Sequence, residues 1–276
     1  MCGHLLRRSQ QAHNALWAEE LGSDPTSPQY ALLEALAAWP GSDQRSAGEL
    51  ASLDKSSTMD IVARLARKQW ITRDRDPRDS RRDALTLTSA AVLALEQLRP
   101  RVRRVQDRLL APLPREERAG LLADLAAVAR VDADVEATSP QRIPGHLVRR
   151  AQQAHTALFV EEFGNVFTGP QLATMHTLAT RPGIGQRELG ELAALDKSTA
   201  ADIVARLDRR GWLARRGDPS DGRRRLLELT DDGLTAIGEL APRLARVQDR
   251  LLAPVAPTRR ESLLASLRRI ARVDAS

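Results

Sequence analysis

Residues 195–233, LDKSTAADIVARLDRRGWLARRGDPSDGRRRLLELTDDG, read as a helix followed by a charged hairpin, and a counterpart, LDKSSTMDIVARL, begins at Leu53. In that first copy Asp54 stands where a carboxylate can accept the orphan N–H groups of a helix start. Ile61, Val62 and Leu65 then give the helix an apolar stripe at helical spacing. A short helix from Gln44 to Ser52 precedes it, so the pair reads as a helix-turn-helix. From Ile71 to Leu87 the helical period is lost, and two strand-like runs flank the turn formers Asp76-Pro77-Arg78-Asp79-Ser80.

Downstream, Thr88 is placed to cap a long helix in which Leu95, Leu98, Val102, Val105 and Leu109 alternate spacings of three and four. Ile237, Leu240, Leu244, Val247 and Leu251 repeat that seam, which calls for a partner helix, and Pro100 and Pro242 are expected to interrupt and kink the two helices. A last helix runs from about Arg115 to Val131. Upstream, residues 4–22 show a helical pattern, and Pro28 begins a helix that stops at Trp39-Pro40-Gly41.

The whole arrangement occurs twice. HLLRRSQQAHNAL from His4 returns as HLVRRAQQAHTAL from His146, an offset of 142 that holds without insertion to RVQDRLLAP at Arg104 and Arg246. The expected division is residues 1–137, a linker at 138–145 carrying Pro140 and Pro144, and residues 146–276. The fold class expected is mainly α with small β-hairpin wings: tandem winged helix-turn-helix domains with long dimerisation-type helices.

This order of elements resembles the MarR family of winged-helix regulators. The resemblance is carried by the KST opening of the fourth helix, the RL-x-x-x-GW exit at Arg206 to Trp212, and the D-P-x-D-x-R-R wing before a strand ending in Leu-Thr. It implies a sequence-specific DNA-binding transcriptional regulator, a repressor responsive to a small lipophilic or phenolic effector. Recognition helices would enter the major groove of a pseudo-palindromic double-stranded site and wings the minor groove. Members of the family are typically dimers, so two copies on one chain imply a single-chain pseudo-dimer. Lys68-Gln69-Trp70 lacks the glycine found at Gly211, and the first copy is expected to leave that helix with strain or differently. The alternative is a ligand-sensing or protein-interaction module that keeps the fold without binding DNA.

The outward residues of the reading helix are expected to be Lys55, Ser56, Ser57, Thr58, Asp60 and Arg64, matched by Lys197, Ser198, Thr199, Asp202 and Arg206. Short hydroxyls allow close approach of a helix N-terminus to phosphate or a base edge, and the cations supply counter-charge. Asp60 and Asp202 precede arginines by four residues and are expected to pair with and orient them. Arg78, Arg81, Arg82, Arg223 and Arg224 sit on the wings, and the resemblance implies that Arg81 and Arg223 insert into a minor groove. Residues 64–82 hold eight cations against three aspartates and residues 206–224 seven against three, in a chain of net charge +6, so positive charge is concentrated on the proposed DNA face. Ser57-Thr58-Met59 and Thr199-Ala200-Ala201 make the two reading surfaces unlike.

Trp17, Phe159, Phe163 and His176 lie on the helices that line the effector cleft in the family, although aromatics at this spacing also suit ordinary core. Cys2 is the sole cysteine and the five histidines are scattered, so no metal site and no cofactor are expected. No nucleophile elbow, Gly-rich phosphate loop or H-E-x-x-H is present, which argues against an enzyme. With 42% hydrophobic and 28% charged residues, and no apolar run suited to a signal peptide or a membrane span, the expectation is a cytoplasmic globular protein.

Overall fold

The computed structural model describes residues 2–75, 83–132, 134–136, 139–164, 166–219 and 225–272. The first repeat forms α1 (Cys2–Leu21), α2 (Ser27–Ala38), β1 (Ser42–Asp43), α3 (Gln44–Leu50), α4 (Lys55–Arg67), β2 (Ile71–Arg75), β3 (Asp83–Leu87), α5 (Ser89–Leu110) and α6 (Arg115–Val128). After a 3-10 turn at Pro140–Arg142 come α7 (Pro144–Phe163), α8 (Gly169–Thr180), β4 (Ile184–Gly185), α9 (Gln186–Ala193), α10 (Lys197–Arg209), β5 (Leu213–Gly217), β6 (Arg225–Leu229), α11 (Asp231–Leu252) and α12 (Pro257–Ile270). Nearly every bound of the second set lies 142 residues after its counterpart.

The caps are duplicated too. Thr26 with Gln29 and Thr168 with Gln171 form capping boxes at α2 and α8. Thr88 and Thr230 accept from the third residue of α5 and α11. Each wing is a three-stranded antiparallel sheet, β1-β3-β2 or β4-β6-β5. The third strand was not foreseen, because two residues are too few to show alternation. Pro100 and Pro242 do not divide their helices, since α5 and α11 each run through the proline as one element.

The chain folds as two compact units that cross the repeats: Met1–Arg8 with Gln152–Arg260, and Ser9–Ala151 with Glu261–Ser276. In the first unit Leu5, Leu6, Leu172, Met175, Leu178, Val204, Leu207, Leu227 and Val247 are buried. In the second, Leu32, Leu33, Leu36, Val62, Leu65, Leu85, Leu95, Val102, Leu121, Leu125 and Leu147 are buried. The seam of α5 packs on α2, and α11 packs on α8. Ion pairs reinforce this at matching places: Arg104–Glu20 (2.7 Å) and Arg108–Glu19 (2.6 Å) in one unit, Arg246–Glu162 (2.7 Å) and Arg250–Glu161 (2.6 Å) in the other.

Two glycine–histidine contacts fix how the first helices pack. A Cβ on Gly145 would stand 2.1 Å from His13 Nε2, and one on Gly3 would stand 2.0 Å from His155 Nε2. Gly145 N donates to Gln106 Oε1 at 2.8 Å, and Gln106 Nε2 lies 3.4 Å from His13 Nε2. Burial pushes the His13 and His155 imidazoles down to about 4 and His146 to about 3, with Arg149 or Arg7 adding repulsion.

At the exit of α4 the residue in the left-handed region is Gln69, φ +57°, where the second copy has Gly211, φ +71°. The geometry is kept without the glycine. Thr88 Oγ1 donates to Gln69 O at 2.8 Å and Thr230 Oγ1 to Gly211 O at 2.7 Å, so the next helix cap holds the exit in both copies. Lys68 Nζ lies 3.7 Å from the Trp70 ring centre, and Arg210 stacks similarly on Trp212.

A side chain at positive φ costs on the order of 1 kcal/mol. Gln69→Gly should therefore raise stability by up to about 1 kcal/mol and Gly211→Ala lower it by about 1 kcal/mol, read from urea unfolding midpoints. Two unshifted midpoints would remove strain from the account. The histidines give a pH dependence. An imidazole held at about 4 when folded and near 6.5 when unfolded lets the unfolded chain bind more protons between those values. Stability is whole above pH 6.5 and is lost as pH falls through that window, on the order of 3 kcal/mol for His13 alone. Thermal midpoints recorded from pH 7.5 to 4.5 check this, and a flat profile would contradict it.

Candidate nucleic-acid interface and ligand cavity

The reading helices α4 and α10 begin alike. Asp54 Oδ1 accepts from Ser57 N (2.9 Å) and Ser56 Oγ (2.7 Å), and its Oδ2 accepts from Ser57 Oγ (2.6 Å). Asp196 does the same with Thr199 N (2.8 Å), Ser198 Oγ (2.6 Å) and Thr199 Oγ1 (2.6 Å). These bonds hold both carboxyls well below the usual carboxylate range, those from Ser57 leading at Asp54 and that from Ser198 leading at Asp196. The hydroxyl hydrogens of Ser56, Ser57, Ser198 and Thr199 are thus spent on the caps. What these groups offer a ligand is an acceptor oxygen.

Lys55, Asp60, Arg64, Lys197, Asp202 and Arg206 are exposed, as expected. Thr58 is not. It is 3% exposed, donates to Asp54 O at 2.7 Å, and lies against Gly48 of α3, where a Cβ would meet its Oγ1 at 2.4 Å. Its counterpart Ala200 is buried against Gly190. The difference between the two reading surfaces therefore narrows to Met59, 54% exposed, against the exposed Ala201, and to the half-buried Ser57 against Thr199. The pair expected between Asp202 and Arg206 forms at 2.8 Å, and among the described residues no such pair joins Asp60 and Arg64.

The strands behind the wings are charged: Arg215 pairs with Asp208 at 3.0 Å and Arg216 with Glu228. Arg78, Arg81, Arg82, Arg223 and Arg224 lie outside the described residues.

Within the unit of Met1–Arg8 and Gln152–Arg260, a cavity of about 460 Å³ opens between α7, α8 and α11. Phe159, Val160, Phe167, Leu172, Ala173 and Leu244 form its apolar wall, and His4, Arg7, Gln152, His155 and Gln248 add polar groups. This size and mix suit a small organic ligand. Arg7 Nη2 donates to Ala193 O at 2.5 Å and lies 3.3 Å from His4 Nδ1. Its Nε and the Gln152 Oε1 are buried without a hydrogen-bond partner. Burial lowers the Arg7 pKa and pushes His4 down to about 4.

The other unit holds the equivalent position, walled by His13, Trp17, Ser27, Tyr30, Ala31, Val102, Gln106, His146 and Arg149, but the space left at that position is about 20 Å³. That is room for roughly one water. A separate open groove of about 800 Å³ lies on the far side of Tyr30 and Val102, lined by Arg99, Arg103 and Arg142.

Of the aromatics expected at a ligand site, Phe159 lines the larger cavity and Trp17 the smaller. Phe163 lies one turn behind Phe159, stacked on it at 4.5 Å, and is core. His176 is exposed, one helical turn beyond Leu172 and Ala173, and does not line the cavity. Arg7 and His4 were missed. The signal available was the HLLRR/HLVRR identity itself, which places a histidine and an arginine three residues apart in both copies.

Among the described residues no cluster of histidine, cysteine or acidic side chains could hold a metal ion, and no helix is long and apolar enough to cross a membrane. A sequence profile described as the MarR family matches residues 26–82 and 167–224. The transcriptional regulator HosA of Escherichia coli O111:H- is 34% identical over 125 residues, 45% of this chain and 92% of HosA. The HTH-type transcriptional repressor NicR of Pseudomonas putida is 30% identical over 127 residues, 46% of this chain and 80% of NicR. Among solved structures, the PcaV transcriptional regulator from Streptomyces coelicolor in complex with its natural ligand is 42% identical, with a TM-score of 0.45, covering 51% of this chain and 99% of PcaV. BpsR of Bordetella bronchiseptica, whose DNA binding is regulated by 6-hydroxynicotinic acid, is 28% identical with a TM-score of 0.44, covering 46% of this chain and 97% of BpsR. With the profile matched in both repeats and HosA covered almost end to end, the chain belongs to the MarR family of transcriptional regulators and carries the family's unit twice.

Proposed function

We propose that this protein is a DNA-binding repressor released by a small anionic ligand, and that a single chain supplies both reading helices. The DNA-binding part rests on family membership and on α4 and α10, two exposed basic helix starts with matching caps. Their free backbone N–H groups and Lys55, Lys197, Arg64 and Arg206 suit phosphate and base edges of a major groove. Arg81 and Arg223, on the wings, are the candidates for a minor groove. The site on DNA is a pseudo-palindrome, and one chain of 30.4 kDa occupies it as a pseudo-dimer.

The observation that carries the ligand-responsive part is the position of Arg7. Its guanidinium stands in the cavity wall and donates to the last carbonyl of α9, three residues before the Asp196 cap of α10. A buried arginine with an unpartnered N–H beside an apolar wall selects a carboxylate or phenolate on a small ring. An anion that draws Arg7 into the cavity weakens its hold on Ala193 O and frees the turn that aims α10. Ligand and DNA then favour different positions of one turn, which is what linkage between two sites requires.

Two outcomes are expected. Met59→Ala should make the preferred half-sites alike, removing discrimination of about tenfold, since one apolar base contact is worth about 1–3 kcal/mol. Fluorescence anisotropy on a selected duplex and its two symmetrised versions reads this, and an unchanged ranking would take Met59 out of base reading. Arg7→Ala should weaken DNA binding by loosening the α9–α10 turn and should abolish release by aromatic acids. A variant released like the parent would remove Arg7 from the coupling.

A further inference from the structure

The two equivalent cavities differ more than drift in a shared core would produce. Around the small one, Trp17 Nε1 donates to Pro25 O at 2.9 Å, and the Trp17 ring lies 5.6 Å from Tyr30 and 5.8 Å from His13. Tyr30 Oη donates to Glu34 Oε1 at 2.5 Å, and Glu34 receives Arg99 through two bonds of 3.0 Å. The indole and phenol rings are each pinned by a hydrogen bond at the far end. In the second repeat the histidine is kept as His155 and the other five members of this set are changed. Phe159 replaces Trp17, Phe167 replaces Pro25, Leu172 replaces Tyr30, His176 replaces Glu34 and Ala241 replaces Arg99. A two-ring side chain and a phenol have become a single ring and an aliphatic, and the clamp that held them has gone as a set.

The linker adds a second, independent difference. Pro140 and Ile143 belong to the wall of the small cavity, and the turn at Pro140–Arg142 packs on α2. The arginines are not what distinguishes the sites. Arg149 donates to Ala51 O at 2.5 Å as Arg7 does to Ala193 O, and its Nε and Nη1 are likewise buried without partners. The first repeat keeps the arginine and fills the space in front of it.

We propose that, of the two equivalent cavities, only the one walled by Phe159 and Arg7 admits a small molecule, and that in the first repeat the Trp17 and Tyr30 rings stand permanently where a ligand would. This rests on the ligand reading above and fixes its stoichiometry at one effector per chain. Binding is therefore non-cooperative, and a single molecule biases one reading helix.

Val102 and Leu244 are equivalent wall residues of the two cavities, the first buried and the second half-buried, and provide the test. In the full chain carrying Cys2→Ser, Val102→Cys or Leu244→Cys is introduced and the rate of reaction with methyl methanethiosulfonate is followed by mass spectrometry. The thiol at 244 should react at least about tenfold faster, because position 102 is reached only through local opening. Adding Trp17→Phe and Tyr30→Leu should bring the rate at 102 up to that at 244. Equal rates in the parent background, or no acceleration by the opening pair, overturn the proposal. Benzoate is then added as a competitor and should slow labelling at 244 alone. Protection at 102 as well also overturns it, whereas unequal rates with no protection anywhere uphold the single open cavity and strike the anionic-ligand reading instead.

Discussion

A guanidinium taken out of water must find acceptors, and the few within reach decide what it is tied to. Arg7 finds the carbonyl of Ala193, the last residue of α9, and Arg149 that of Ala51, the residue that caps α3, among the orphan groups that every helix end leaves over. Ser52 Oγ, 2.9 Å from His146 Nε2, adds a second tie in one unit. Desolvation holds the Arg149 pKa down to about 10. Through these bonds the opening turn of a long helix is fixed to the end of the first helix of each helix-turn-helix. The left-handed residues Ser52, φ +53°, and Ala194, φ +55°, then turn the chain into the Asp caps of α4 and α10.

Much of this was legible in sequence, for specific reasons. Asp54, Thr88 and the apolar stripe of α4 are local signals, each read from a few neighbouring residues, and each was found where expected. The 142-residue offset was legible because no insertion blurs it. Thr58 misled because a threonine near a helix start reads as an outward hydroxyl. Only Gly48, ten residues earlier and on another helix, shows the space it fills. Gln69 adopts a conformation that composition alone assigns to glycine, because the Thr88 hydroxyl holds its carbonyl from nineteen residues away. The cavity was half legible: its aromatic wall has a pattern, but its polar end comes from residues 3–7 and 152–155, separated in sequence by slightly more than a whole repeat.

The two copies show which parts of the scaffold tolerate change. The caps of α2, α4 and α5, the strand registers and the glutamate–arginine pairs of the long helices are kept, whereas the Asp43 cap of α3 has become Gly185 at α9. Differences are spread over the wing strands, ITRDR against LARRG and DALTL against RLLEL, the first half of the long helices and the last helix, and they include the cavity wall and the exposed Met59 of the reading helix. A homodimer must use one sequence for both halves, and a duplicated chain is free of that restriction.

The compact units do not coincide with the repeats, since residues 1–8 belong to the unit built on 152–260 and residues 144–151 to the other. Two halves joined end to end could each be lost by recombination, leaving the remaining gene to encode a working product. Here, excising either copy removes the opening turns from the unit formed by the other. A lone copy would have to borrow those turns from a second chain, so the exchange ties the two copies together as one inherited folding unit.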